Sequence, residues 1–118
     1  MSAIKTYKGG EVNLKHYQDE SVVDYWFDIM EDDGSDTDLT QYSNIKFQIF
    51  AKRKGTLIKT FDYNSGLSVG GSRVTFNAAK LYTSLFRQGL TYYHNMIGIR
   101  KLPIGETDVI FFGNSEMI

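Results

Sequence analysis

Cysteine is absent from this 118-residue chain, and proline occurs once. Without cysteine there is no disulfide framework and no thiolate nucleophile, which fits assembly in a reducing cytoplasm. Charge of one sign is missing too. A formal net charge of −1 gives no long-range field to gather nucleic acid or an anionic membrane, so neither is an expected partner. No apolar run approaches membrane-spanning length; Val109-Ile110-Phe111-Phe112 is among the longest. The opening residues Met1-Ser2-Ala3-Ile4-Lys5-Thr6-Tyr7-Lys8 lack the apolar core of a signal peptide, so no export signal is expected in them. Alanine-rich segments are also lacking, which disfavours helices.

What is abundant is aromatic: eight Tyr, eight Phe and one Trp. These residues fit pleated, half-buried surfaces and favour strands. The length suits one domain able to build a core without metal or disulfide staples. Residues 1–20 read as a polar, irregular arm, mobile or pinned on a neighbouring subunit, with Gly9-Gly10 as a flexible point and only a weak strand signal at Val12 and Leu14. From residue 21 to 118 the chain reads as a folded domain. Val23, Tyr25, Phe27 and Ile29 alternate with Asp24, Trp26, Asp28 and Met30, a strict period of two. Ile45, Phe47, Ile49 and Ala51 line the next inner face, and Lys52-Arg53-Lys54-Gly55 turns the chain, so residues 45–62 form a hairpin. Short strands follow at Leu67–Val69 and Val74–Phe76. Asn77 to Tyr82 reads as a short connecting helix capped by Asn77, with Leu81 and Leu85 at i,i+4. Strands over Tyr92–Ile99 and Asp108–Phe112 flank the turn Leu102-Pro103-Ile104-Gly105. About seven strands with turn signals every eight to twelve residues predict an all-β antiparallel sandwich with one short helix.

Candidate chemistry is sparse. The acidic stretch Glu31–Asp38 invites a calcium reading, but setting Gly34 at the glycine of an EF-hand loop puts Ile29 and Thr40 at the first and last ligand positions. Neither fits, and a solvated hairpin tip is the plainer reading. His16 and His94 have no G-x-S-x-G elbow, H-E-x-x-H helix or cysteine to work with; His94, beside Tyr92 and Met96 on one strand face, reads as a hydrogen-bonded core histidine. Gly9-Gly10 and Gly70-Gly71 lack the Lys-Ser/Thr of a phosphate loop. No catalytic residue, cofactor or metal is expected. Lys52, Arg53 and Lys54 beside Phe50 suggest nucleic-acid contact only weakly, and a solubilising turn suffices.

The outward aromatics are more informative. Trp26, Phe50 and Phe112 fall opposite the apolar stripe of their own strands, where they anchor interfaces or are covered by the arm. The candidate interface therefore comprises Tyr7 and Tyr17 on the arm, Trp26, Phe50 and Phe112 on the strands, and the basic tip Lys52, Arg53 and Lys54.

The order of these features resembles a small immunoglobulin-like domain of tailed-bacteriophage structural proteins, such as the amino-terminal domain of the siphophage baseplate upper protein and its tail and virion relatives. The match runs through Asp33-Gly34, Asp38-Leu39-Thr40-Gln41-Tyr42, the strand Ile45–Ile49, Gly66-Leu67-Ser68-Val69, Asn77-Ala78-Ala79-Lys80-Leu81, Gly89 with Tyr92-Tyr93-His94-Asn95-Met96, and Val109-Ile110-Phe111-Phe112-Gly113. It covers roughly residues 20–118. Gly89 sits one residue further from the tyrosines than is usual, and His94-Asn95 stands where Tyr-Asp is common. The resemblance implies an immunoglobulin-like, non-enzymatic virion protein, a tail, baseplate, neck or capsid-surface subunit that contacts other virion proteins and copies of itself. The alternative is a carbohydrate- or host-receptor-binding module that stacks sugars on Trp26, Tyr82, Tyr92 or Tyr93.

Overall fold

Alternation of buried and half-exposed side chains builds two facing layers of strands. The computed structural model describes residues 2–16, 25–63, 65–76 and 89–117. Its strands are β1 (Ser2–Tyr7), β2 (Gly10–Glu11), β3 (Leu14–His16), β4 (Tyr25–Met30), β5 (Tyr42–Phe50), β6 (Leu57–Phe61), β7 (Leu67–Gly70), β8 (Arg73–Phe76), β9 (Thr91–Arg100) and β10 (Thr107–Met117). One sheet has the order β1-β4-β8-β7; the other runs β2-β10-β9-β5-β6, with β3 also pairing β10. The all-β sandwich expectation therefore holds, with two corrections. Ten strands are present among the described residues rather than about seven, and the sheets are mixed rather than antiparallel, because β1 runs parallel to β4 and both β2 and β3 run parallel to β10. The short helix expected at Asn77–Tyr82 and the start of the strand at Val23 lie outside the described residues.

Both corrections come from the first sixteen residues, which are not an irregular arm. In β1, Ile4 and Thr6 face inward opposite Phe27 and Ile29, while Lys5 and Tyr7 face out. The chain then changes sheet within two residues: Lys8 N–H donates to the Met30 carbonyl (2.7 Å) and Gly9 N–H to the Ile110 carbonyl (2.7 Å). Gly9 sits at φ +84°, a left-handed conformation that costs glycine little. Val12 and Leu14 then enter the core, 6% and 5% exposed. Gly113 makes room for them, since a Cβ there would run into the Val12 carbonyl.

Hairpins supply the rest. In β5, Ile45, Phe47 and Ile49 are fully buried, whereas Ala51, expected to continue that face, lies exposed in the bend that follows. The Asp38-Leu39-Thr40 motif has a local explanation. Asp38 Oδ1 accepts from Thr40 N–H (3.0 Å), capping a single 3-10 turn over Leu39–Gln41, and Leu39 plugs the core at 1% exposure. In β10 a bulge follows Val109, so Ile110 and Phe111 both turn inward while Phe112 faces out.

The core is a cluster of phenylalanines. Phe27, Phe47, Phe61, Phe76 and Phe111 are each 1% exposed or less. Phe27 meets Phe111 at 4.8 Å and Phe76 meets Phe61 at 4.8 Å, with Phe47 touching Phe27, Phe76 and Phe111 between them. One edge of the core is closed by Tyr42, whose ring lies over Gly98, where a Cβ would come within 2.6 Å of it. The Tyr42 hydroxyl donates to Asp108 Oδ2 (2.8 Å), and Arg100 Nε donates to the same oxygen (2.8 Å). Burial, and then the Asp108 carboxylate, push the Tyr42 phenol well above its ordinary range, so it stays a donor.

Candidate interaction faces

Two polar constellations resemble catalytic or metal-binding groups. His94 Nδ1 lies 2.6 Å from Ser115 Oγ, and Nε2 lies 2.8 Å from the Val12 carbonyl oxygen. A carbonyl can only accept, so Nε2 carries a proton. In the neutral ring Nδ1 then accepts from the Ser115 hydroxyl. Both residues are 0% exposed, so no substrate carbonyl reaches the hydroxyl. His94 is the hydrogen-bonded core histidine its sequence context suggests, packed against Phe47 and Phe111. It ties the amino-terminal strands to β9 and β10. The side chain of His16 lies outside the described residues.

The acidic tip is organised by its own hydroxyls. Asp33 Oδ1 accepts from Ser35 N–H (2.9 Å) and Oγ (2.6 Å), Gly34 takes φ +87°, and Asp38 bonds Thr40 as above. Among the described residues no three His, Cys, Asp or Glu side chains group as a metal site.

The expected interface residues separate onto opposite outer faces. On the four-stranded sheet, Tyr7 and Trp26 face outward; Tyr7 is 51% exposed. Trp26 is half-buried, because the Arg73 guanidinium lies 4.6 Å from its ring centroid. Arg73 also holds Asp28 through Nε (2.7 Å) and Nη2 (3.1 Å), a two-point clamp on the neighbouring strand. On the six-stranded sheet, Phe50 and Phe112 share the outer face with Tyr93. Phe50 meets Tyr93 at 6.0 Å, and Arg53 reaches the same ring at 6.0 Å. Ile97 and Val109 extend this face as a cross-strand pair. Phe50 and Phe112 are half-buried rather than exposed, Phe50 with the Tyr93 ring beside it. Lys52, Arg53 and Lys54 are exposed on the β5–β6 turn, with Lys54 at φ 60° and Gly55 N–H bonded to the Lys52 carbonyl (2.8 Å). Tyr17 lies outside the described residues.

Of the aromatics proposed to stack sugars, Tyr92 is 7% exposed and belongs to the core. Tyr82 lies outside the described residues. The large apolar side chains most exposed to solvent among the described residues are elsewhere: Leu102 and Ile104 on the β9–β10 turn. Their signal was present in the sequence as two apolar residues flanking the single proline.

The charged clamps predict acid sensitivity. The Arg73 hydrogen bond draws the Asp28 carboxyl below its ordinary value of 3.8, against a smaller opposing effect of burial. At Asp108 burial pushes upward most strongly, but the bonds from Arg100 and Tyr42 together outweigh it and the carboxyl is again lowered. A carboxyl lowered by folding stabilises the fold fully above the unfolded-state value, and that contribution disappears as pH falls through the folded-state value. The melting temperature should therefore hold down to pH of about 4 and drop below it. Asp108→Asn should start from a lower melting temperature and show a shallower acid slope. Parallel slopes for the two proteins in a pH series of thermal melts would refute this assignment.

No family model matches the chain, and no curated protein matches it.

Proposed function

We propose that the chain is a non-enzymatic assembly module of a tailed-bacteriophage virion, an immunoglobulin-like sandwich that works through protein contacts. The observation that carries this reading is the strand order. Immunoglobulin sandwiches place strands A, B, E and D in one sheet and C, F and G in the other, with C′ added beside C in variable-type domains. Apart from β2 and β3, which add parallel to β10, the sheet orders β1-β4-β8-β7 and β10-β9-β5-β6 follow that scheme when β1 is taken as A, β4 as B and β5 to β10 as C, C′, D, E, F and G. The parallel β1–β4 pair is a departure from it. Together with the ordered motifs shared with phage structural domains, this supports the immunoglobulin-like assignment and the family function.

The outer faces support the mode of action. The outer face of the six-stranded sheet, bearing Phe50, Tyr93, Phe112, Ile97 and Val109, suits contact with other virion proteins, since aromatic residues are enriched in interface centres. The buried His94–Ser115 pair offers nothing to a substrate. Carbohydrate binding draws less support, because Arg73 already occupies a face of Trp26 and Tyr92 is internal. Size-exclusion chromatography with light scattering, on the chain alone and mixed with phage tail, baseplate, neck and capsid proteins, tests the proposal. A stable complex with at least one of them is expected. A strict monomer that joins none would sink it.

A further inference from the structure

The β5–β6 hairpin concentrates positive charge in a chain whose net charge is −1. From Tyr42 to Phe61 the sequence holds Lys46, Lys52, Arg53, Lys54 and Lys59 and no Asp or Glu. β9, the neighbour of β5 in the sheet, carries no carboxylate either. Among the described residues the ion pairs engage Lys8, Arg73 and Arg100, and none of the hairpin cations. Cations gathered without counter-charges raise the local potential, which an anionic partner relieves even where the total charge is near zero.

Shape accompanies the charge. Among the described residues β6 pairs only with β5 and ends the six-stranded sheet. Its outer edge therefore offers backbone N–H and C=O groups to a further strand. A lysine on an edge strand commonly guards against such pairing. Lys59 stands in that position, but its ammonium lies over the Phe61 ring, 5.8 Å from the centroid. Leu57 and Ile58, 46% and 40% exposed on the same strand, leave aliphatic surface beside the open edge instead of guarding it. The adjoining turn is already shaped: Ala51 N–H donates to the Thr56 carbonyl (2.9 Å) and Gly55 N–H to the Lys52 carbonyl (2.8 Å). Ordering it in advance lowers the entropy lost on contact.

We infer that the β6 edge docks an extended acidic segment of a partner protein, which adds as a further strand beside Leu57, Ile58 and Lys59 and sets its carboxylates against Lys52, Arg53, Lys54 and Lys59. In strand addition the main-chain bonds give affinity and the alternate side chains give specificity. Charge selects an acidic occupant. The open edge and its aliphatic pair select protein over nucleic acid, which has no extended ladder of alternating donors and acceptors to offer. The inference rests on the assembly reading for its purpose and names the partner chemistry that reading leaves open.

Fluorescence anisotropy on the full chain, with a labelled short peptide of alternating Glu and Val, tests it. The peptide should bind saturably and slow hydrogen exchange of the β6 amides. Its counterpart with Lys in place of Glu should bind at least about tenfold more weakly. Lys52→Glu combined with Arg53→Glu should also raise the dissociation constant at least about tenfold, with the melting temperature unchanged because both side chains are exposed. N-methylation of one alternate set of peptide amides should abolish binding, and methylation of the other set should spare it, with every charge kept. No binding of the acidic peptide, equal binding of the Lys peptide, or indifference to both methylated sets overturns the inference. So does an oligothymidylate that binds more tightly than the acidic peptide and is weakened by the same double variant, since the hairpin would then be a nucleic-acid site. A chain that binds the peptide as described yet joins no virion protein keeps the inference and sinks the assembly reading. A chain that binds no peptide but joins a virion protein keeps only that reading.

Discussion

Deleting residues 1–16 should abolish cooperative unfolding. The deletion removes Val12 and Leu14 from the core, each contributing about 1.5–3 kcal/mol by burial. It takes the Val12 carbonyl from His94 Nε2, and an unpaired buried polar group costs about 1–3 kcal/mol. It also strips β1 from β4, and β2 and β3 from β10, leaving two raw sheet edges. The summed loss reaches the scale of the whole stability of a small domain, about 5–15 kcal/mol. Circular dichroism melts and amide proton dispersion should show a collapsed or aggregating chain. A truncated protein that melts at the full-length temperature would mean that these residues do not belong to the fold. Gly113→Val is the subtler probe of the same seam: its side chain would collide with the Val12 carbonyl, so a large drop in melting temperature is expected without loss of any residue.

That seam is also where the sequence was hardest to read. The hairpins β5–β6, β7–β8 and β9–β10 announce themselves locally, through alternation on both sides of a turn such as Gly70-Gly71 or Lys52–Gly55. The amino-terminal strands do not. β2 and β3 span two and three residues, too short for a period to register, and their partner β10 lies about a hundred residues away in a parallel ladder that no turn specifies. Shorter separations, 21 and 66 residues, likewise hide the Ser115 hydroxyl from His94 and the Asp108 carboxylate from Tyr42. Alternation did assign Trp26, Phe50 and Phe112 to outer faces, since it fixes which way a side chain points. It says nothing about what lies over that side chain. Arg73 above Trp26 and Tyr93 beside Phe50 come from neighbouring strands, and they help to half-bury Trp26 and Phe50.

Phe47→Ala should destabilise the fold by about 3–5 kcal/mol, the range for removing a fully buried aromatic. Phe47 is the inward residue of β5 most surrounded by rings. It stacks with Phe27 across the sandwich at 6.3 Å, meets Phe76 edge-on at 5.3 Å, and lies against His94 at 5.4 Å and Phe111 at 6.0 Å. Four strands thus converge on one ring. Neighbours locked in ladders relax little into a void, so the loss belongs at the upper part of that range. Phe47→Leu, which keeps much of the apolar volume, should lose less. Lys46→Ala, on the adjacent half-buried position, should stay within about 0.5 kcal/mol of the parent, as surface substitutions do. Urea titrations that place Phe47→Ala beside Lys46→Ala would show that the two layers do not pack through this ring, and the inward facing of β5 would have to be abandoned.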